Sequence, residues 1–455
     1  MISRQVIYTQ EYLDQIKRNF SAKVSPVQVC PPKAGEIQTT VLPNKLVVTS
    51  IDSSYPISRV SILFSLCFSS CRAGSRNETP QNIGASHVVR VTAGLTNKNS
   101  SYFGVTRNLQ QIGASLTTTA DREVVSYTLE GLPNTFDIGL KYLADVSTKQ
   151  VFKPWEVLDL LPRLKYELAG IPPQVRVLDL LNKAAYRTGL GNTLFCPKRL
   201  VGNHNSETLQ HYVNSLFTTN RSAVAGVGVD HSELVAFAQN LELESGAGPS
   251  ASGQYYGGEI RKEKFSDLAH VAVATEGASL ANEKDALAFA ILRYILGAGP
   301  SIKWGGSPSP LYKSVSEAVG GLPFAVSALN VSYSDSGLFG FLASAPPQIA
   351  GQVRVVEAAV KQLCCLSLTP ADIARGKAQL KASVLLGTEG GTDLLEDIGN
   401  QAVLLGKVTS PSQVVAAIDG ITSADINAAY KKVTLGKLTL AAYGQIHCVP
   451  YLDQL

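Results

Sequence analysis

Residues 83–91 read Ile83-Gly84-Ala85-Ser86-His87-Val88-Val89-Arg90-Val91, an apolar helical stretch carrying one imidazole and one guanidinium. On a helix, the spacing H-x-x-E-H places two histidines to bind zinc and a carboxylate to act as general base. Here the first ligand position is His87, the base position is Arg90 and the second ligand position is Val91. A catalytic zinc site needs three protein ligands and an open fourth position, so a lone imidazole does not hold the ion at useful affinity. Arg90 opposes it further, because a guanidinium stays protonated and can neither accept a proton nor coordinate a cation. At ~4 Å its repulsion of a divalent ion is about 2 kcal/mol even in bulk water. The stretch has the frame of a metal site without its chemistry, and the expectation is no metal, no cofactor and no catalytic residue.

Upstream, Gln38–Leu42 and Leu46–Ser50 are β-branched runs around a Pro43-Asn44-Lys45 turn, and Arg59–Phe64 is a third strand, which together predict an antiparallel sheet. Ser65–Cys71 prolongs that strand awkwardly and reads as an inserted bulge, a splice variant or a gene-model error. Residues 1–35, with Arg4, Lys17, Arg18 and Lys23 among serines, lean toward a mitochondrial presequence, although Glu11 and Asp14 also fit an ordinary flexible N-terminus.

Downstream, Glu123–Leu129 and Ser222–Gly228 are strands, and Phe136–Val146 and Trp155–Leu168 have helical spacing. The stretch Glu244–Gly253 is rich in Gly, Ser and Ala and serves as a linker, placed at 244–258, between a first domain at 36–243 and a second at 259–455. Beyond it the order of elements restarts. Ser266–Thr275 is a strand, Asn282 caps a helix that ends at Gly297, Phe324–Tyr333 is a strand, Val353–Leu363 and Pro370–Leu386 are helices, and Leu438–Tyr443 is a last strand. The repeat holds in register: Pro154 and Pro370, Leu164-Lys165 and Leu380-Lys381, and Gly228 and Gly444 each share one offset, which chance does not readily supply over such a span. The expected fold is α+β, two homologous domains, each an antiparallel-rich sheet packed with helices.

Composition limits the partners. The formal net charge is +4, from 40 basic and 36 acidic residues in 455, which makes no case for nucleic acid. No apolar run reaches the roughly 18–20 residues that span a bilayer, so any membrane association is peripheral, through partners. The seven cysteines, an odd number without C-x-x-C spacing, suit a reducing compartment. His270 alternates with Leu268 and Ala272 as a packed strand residue, and His447-Cys448 lacks further ligands nearby. The glycines of Gly297-Ala298-Gly299-Pro300 and Gly305-Gly306 follow a helix, whereas a phosphate loop follows a strand and opens a helix.

Two such halves with a degenerate inverted zinc motif resemble the pitrilysin-like peptidases, the family that includes the mitochondrial processing peptidase. The stretches Gly84–Arg90, Leu296–Pro300 and Tyr333-Ser334-Asp335-Ser336-Gly337-Leu338-Phe339-Gly340-Phe341 carry a further similarity to the core subunits of the mitochondrial cytochrome bc1 complex. That resemblance implies a non-catalytic structural subunit, needed for assembly and stability of the matrix-facing part of a complex that passes electrons from ubiquinol to cytochrome c. It implies as partners a homologous core 1-type subunit, cytochrome b, cytochrome c1 and the Rieske protein, at the matrix side of the mitochondrial inner membrane. The alternative it leaves open is the non-catalytic, substrate-binding subunit of the processing peptidase, in which a glycine-rich loop at the place of Gly297, Gly299, Gly305 and Gly306 contacts peptides. Active relatives carry a third metal ligand, a glutamate, near Lys165–Leu168, where Glu167 stands, and a substrate-binding asparagine where this chain has Thr117.

Overall fold

The structure, a computed structural model, describes residues 36–52, 55–64, 75–244, 253–299, 309–320, 323–347, 349–366 and 368–455. The readings placed on residues 1–35, on Ser65–Cys71 and on Gly305 and Gly306 lie outside these.

The first half runs β1 (Ile37–Val41), β2 (Val47–Ile51), β3 (Ser58–Phe64), α1 (Ala85–Val91), α2 (Tyr102–Gln111), β4 (Ser115–Ala120), β5 (Val125–Gly131), α3 (Phe136–Thr148), α4 (Pro154–Asp159), α5 (Leu161–Gly170), α6 (Pro173–Tyr186), α7 (Ser206–Leu216), β6 (Ser222–Val227) and α8 (His231–Gln239). The second runs β7 (Gly258–Glu263), β8 (Ala269–Glu276), α9 (Glu283–Leu296), α10 (Pro310–Val319), β9 (Ala325–Ser332), β10 (Gly337–Ala345), α11 (Ile349–Cys364), α12 (Pro370–Gly387), α13 (Gly391–Leu405), α14 (Pro411–Gly420), α15 (Ser423–Leu435) and β11 (Thr439–Gly444).

The sheet orders make the repeat explicit. The first sheet is β1-β2-β6-β3-β5-β4 and the second β7-β11-β8-β10-β9. With β1 set aside, both begin with a parallel pair, β2 with β6 and β7 with β11, and continue antiparallel. The register pairs fall at matching places: Pro154 and Pro370 are the first residues of α4 and α12, Leu164 and Leu380 are both buried, and Gly228 and Gly444 both have positive φ. One expectation needs correcting. The helix read over Trp155–Leu168 is two helices, because Pro162 has no N–H to continue the ladder and begins a new first turn in α5. A second concerns Asn282, which stands at the start of α9 but bonds the Asp285 carboxylate instead of the helix backbone.

Strands β6 and β11 are buried along their whole length, which requires cover on both faces. One face of each sheet packs on helices of its own half: Val224 joins the core with Leu209, Leu140 and Val105, and Leu440 and Ala442 join the core with Ile291, Phe289 and Val433. The other face is covered by a helix from the opposite half. On the first sheet, Leu394, Leu395, Ile398, Ala402 and Val403 of α13 pack on Val47, Leu63, Ala223 and Ala225. On the second, Val177, Leu181, Ala185 and Tyr186 of α6 pack on Ala272, Ala274, Ala441 and Tyr443. At roughly 1.5–3 kcal/mol for each large apolar side chain fully buried, either exchange holds the halves together more strongly than a linker could. Severing the chain between Glu244 and Gly253 is therefore expected to yield two fragments that co-elute as one particle on gel filtration. Separate elution without denaturant would refute the exchanged packing.

Candidate functional site

The N-terminus of α1 is built around Gly84 and Glu78. Gly84 has φ 90°, and a Cβ there would lie 2.5 Å from Cys196 Cα, so glycine permits the loop at Cys196 to lie directly on the helix start. No α1 side chain caps this end. The buried Glu78 carboxylate does so instead, accepting the Gly84 N–H at 2.7 Å, the Ser86 N–H at 2.9 Å and the Ser86 hydroxyl at 2.6 Å.

The close approach brings Cys196 to His87. The Cys196 N–H donates to His87 Nδ1 at 3.2 Å, while His87 Nε2 faces Glu167 Oε2 at 3.5 Å. Glu167 stands on α5 and is thus the carboxylate that folding brings to the first ligand position. The Arg90 guanidinium bonds the same Oε2, and Arg163 reaches Oε1 at 3.3 Å. Burial pushes the Glu167 carboxyl up, but the Arg90 charge and hydrogen bond outweigh it and leave the group below its usual range. Val91 is buried among Val88, Leu160, Leu164 and His204. The cation beside Glu167 is thus supplied by the chain itself.

The orientation of His87 matters as much as the missing partners. A metal-binding imidazole donates its second ring N–H to an acceptor, which fixes the free nitrogen on the metal. Here the second nitrogen faces a donor, the Cys196 N–H, so the proton belongs on Nε2, the atom that would have to bind metal. Among the described residues, no group of three or more His, Cys, Asp or Glu is placed to hold a metal ion.

Glu78 and His87 give a stability signature with opposed signs. Burial, then the Arg90 charge, pulls the His87 pKa down to about 4; the unfolded chain binds the proton first, so this contribution is complete above pH ~6.5 and is lost as pH falls toward 4. Burial raises the Glu78 pKa to about 7 against the bonds from Gly84 and Ser86. The native state then binds the proton first, and stability falls as pH rises from ~4.5 to 7. Each shift corresponds to about 3 kcal/mol. The expected result is that Glu78→Gln steepens the loss of stability on acidification from pH 6.5 to 4.5 relative to His87→Gln. Denaturation midpoints of both variants across that range measure it, and parallel curves would refute it.

The remaining candidates are dispersed. Gly297 and Gly299 follow α9 with φ 129° and 117°; a Cβ on Gly297 would meet Ser309 Oγ at 2.5 Å, and its carbonyl accepts the Ala328 N–H at 2.8 Å. Thr117 is exposed on β4, the edge strand of the first sheet. His270 is buried and bonds Ser344 at 2.7 Å, while His447 is exposed.

Sequence reading missed the polar network at the junction of the halves. The turn between β9 and β10, Tyr333–Ser336, inserts into the first half. Arg76, 3 % exposed, donates to Glu123 Oε1 at 2.6 Å and to Asp335 at 2.8 and 2.5 Å. Glu123 also accepts the Ser334 N–H at 3.0 Å and its hydroxyl at 2.7 Å, Tyr333 donates to Asn182 at 2.6 Å, and Tyr186 donates to the Gly337 carbonyl at 2.9 Å. The Tyr333–Phe341 stretch reads locally as an ordinary hairpin turn, closed by the Tyr333 N–H on the Ser336 carbonyl at 2.8 Å, so nothing in it announces the partners in the other half.

Comparisons with known proteins agree with this picture. The family description "Insulinase (Peptidase family M16)" matches residues 56–198, and "Peptidase M16 inactive domain" matches residues 203–380. The chain is 37% identical over 461 residues to the human cytochrome b-c1 complex subunit 2, mitochondrial, with all of both chains covered. It is 36% identical to the mouse protein of the same name, again over the whole of both. A probable mitochondrial-processing peptidase subunit alpha-1 of Arabidopsis thaliana is 29% identical, over 94% of this chain and 87% of its own. With two repeated α+β halves, a zinc motif whose base position holds an arginine already paired to the nearby glutamate, and end-to-end similarity to those relatives, the chain belongs to peptidase family M16 as a degenerate, non-catalytic member.

Proposed function

We propose that this chain is a structural subunit of the mitochondrial cytochrome bc1 complex, on the matrix side of the inner membrane, where it supports assembly and stability of the part that faces the matrix. The observation that carries the reading is the Arg90–Glu167 pair in a chain 37% identical, end to end, to a relative named as subunit 2 of that complex. Residues 1–35 act as the import presequence, and 36–243 and 259–455 as the two units joined by 244–258. The partners are a homologous core 1-type subunit and, through it, the cytochrome b, cytochrome c1 and Rieske components. Among the described residues no helix is long and apolar enough to cross a membrane, so the proposed membrane contact runs through those partners.

The test is depletion of the chain followed by blue-native separation of mitochondria, with mass spectrometry of each band. The proposal expects the chain to migrate with cytochrome b and the assembled complex to disappear on depletion. If instead precursors accumulate uncleaved while the complex persists, the chain serves a processing peptidase and the proposal is wrong.

A further inference from the structure

A cavity of about 200 Å³ opens between the halves, beside the loop that carries Cys196. Its lining includes Arg176 and Lys183 of α6, Lys198, and Lys262 of β7, so cations converge on it from both halves. One carboxylate, Asp179, lines the same space, but it is already occupied. It accepts the Arg122 guanidinium at 2.5 Å, the Thr193 hydroxyl at 2.7 Å and the Leu194 N–H at 3.0 Å. Among the described residues none of the four cations is in an ion pair. Four cations against the one carboxylate leave the lining with a formal net charge of +3.

Like charges gathered around a recess raise the local concentration of counter-ions, and an anion held between them relieves their mutual repulsion. The size of the recess selects among anions. At about 200 Å³ it falls below the roughly 300–1,000 Å³ of sites that enclose drug-sized ligands. Leu168, Leu180 and Phe195 add apolar surface to the lining.

We propose that this cavity is a binding site for a compact phosphate-bearing anion, which bridges the halves by drawing Lys262 toward Arg176, Lys183 and Lys198. Phosphate suits it because several charges converge on one small volume and lysine binds phosphate as a point charge. A free diphosphate and the headgroup of a short phospholipid share that chemistry, the second also using the apolar surface.

The experiment is titration of the purified full-length chain with pyrophosphate and, separately, with dihexanoyl phosphatidate kept below its micelle concentration. The expected result is saturable binding at low salt that weakens as the ionic strength approaches ~0.15 M, where the screening length is about 8 Å. Lys183→Gln/Lys262→Gln is expected to weaken it at least tenfold, while Lys141→Gln, an exposed lysine outside the cavity, leaves it unchanged. Lys198→Gln is the second variant should the double one not fold, judged by circular dichroism. Tighter binding of pyrophosphate assigns the site to free phosphate, and tighter binding of phosphatidate assigns it to a lipid headgroup. Absence of binding, equal weakening in Lys141→Gln, or more effective occupancy by a hexaglutamate peptide than by either phosphate overturns the proposal.

Discussion

Arg76→Ala is expected to cost about 3–5 kcal/mol, because it removes the cation from a buried network and leaves the Glu123 and Asp335 carboxylates facing one another. The side chain of Arg76 is 1 % exposed and that of Glu123 8 %, so water does not replace the lost partner at Glu123, whereas Asp335, 25 % exposed, keeps some access to it. The loss is expected to be felt between the halves, since Arg76 and Glu123 belong to the first and Asp335 to the second. Hydrogen exchange at the Tyr333–Ser336 turn should therefore rise along with the fall in the denaturation midpoint. The control is Arg163→Ala, which breaks a pair whose arginine is 60 % exposed and should cost less than about 1 kcal/mol. If Arg76→Ala were as mild as Arg163→Ala, the network would have no stabilising role across the junction.

Restoring the zinc motif with Arg90→Glu and Val91→His is expected to destabilise the metal-free chain by about 2–4 kcal/mol and to produce little peptidase activity. Val91 is 3 % exposed and lies mostly among apolar side chains, Val88, Leu160 and Leu164, with His204 beside them, so an imidazole there is buried at a cost. A glutamate at 90 exchanges an attraction to Glu167 for a repulsion. The double variant does assemble two histidines and, through Glu167, a third ligand. His87 still presents its protonated Nε2, because the Cys196 N–H occupies Nδ1, and an ill-suited outer partner of this kind typically costs 10–100-fold in metal affinity. The resemblance further implies that Thr117 stands in the place of a substrate-binding asparagine. The measurement is cleavage of a presequence peptide with and without chelator, beside zinc titration of the same protein. Brisk chelator-sensitive turnover would show that the surrounding site is intact and that Arg90 and Val91 alone silence it.

How much of this was legible beforehand depended on the range of the interaction. Periodicity of two and of 3.6 located most of the strands and some of the helices, among them α3, α9, α11 and α12, since each depends on a face repeating along a short stretch, but it did not single out α6 or α13. It failed at Leu160, where Pro162 interrupts a continuous apolar pattern without changing it. The shared offset between Pro154 and Pro370 and between Gly228 and Gly444 showed the repeat, because a duplicated unit keeps its turn and cap residues at fixed positions.

Arg90 and Val91 by themselves ruled out a working zinc helix, because a ligand set depends on side-chain chemistry that a sequence states outright. The resemblance to the pitrilysin-like peptidases also implied that Glu167 stands near the third ligand position. Only the tertiary structure decided that Arg90 supplies the cation beside Glu167 and that Cys196 turns the wrong nitrogen of His87 toward it, since both contacts join residues far apart in the chain. The same holds for the exchange of α6 and α13 and for the network of Arg76, Glu123 and Asp335. An amphipathic helix shows that it must bury a face, but its sequence does not say against which sheet. A buried arginine likewise requires a carboxylate without naming it, and that choice is made when the two halves close on each other.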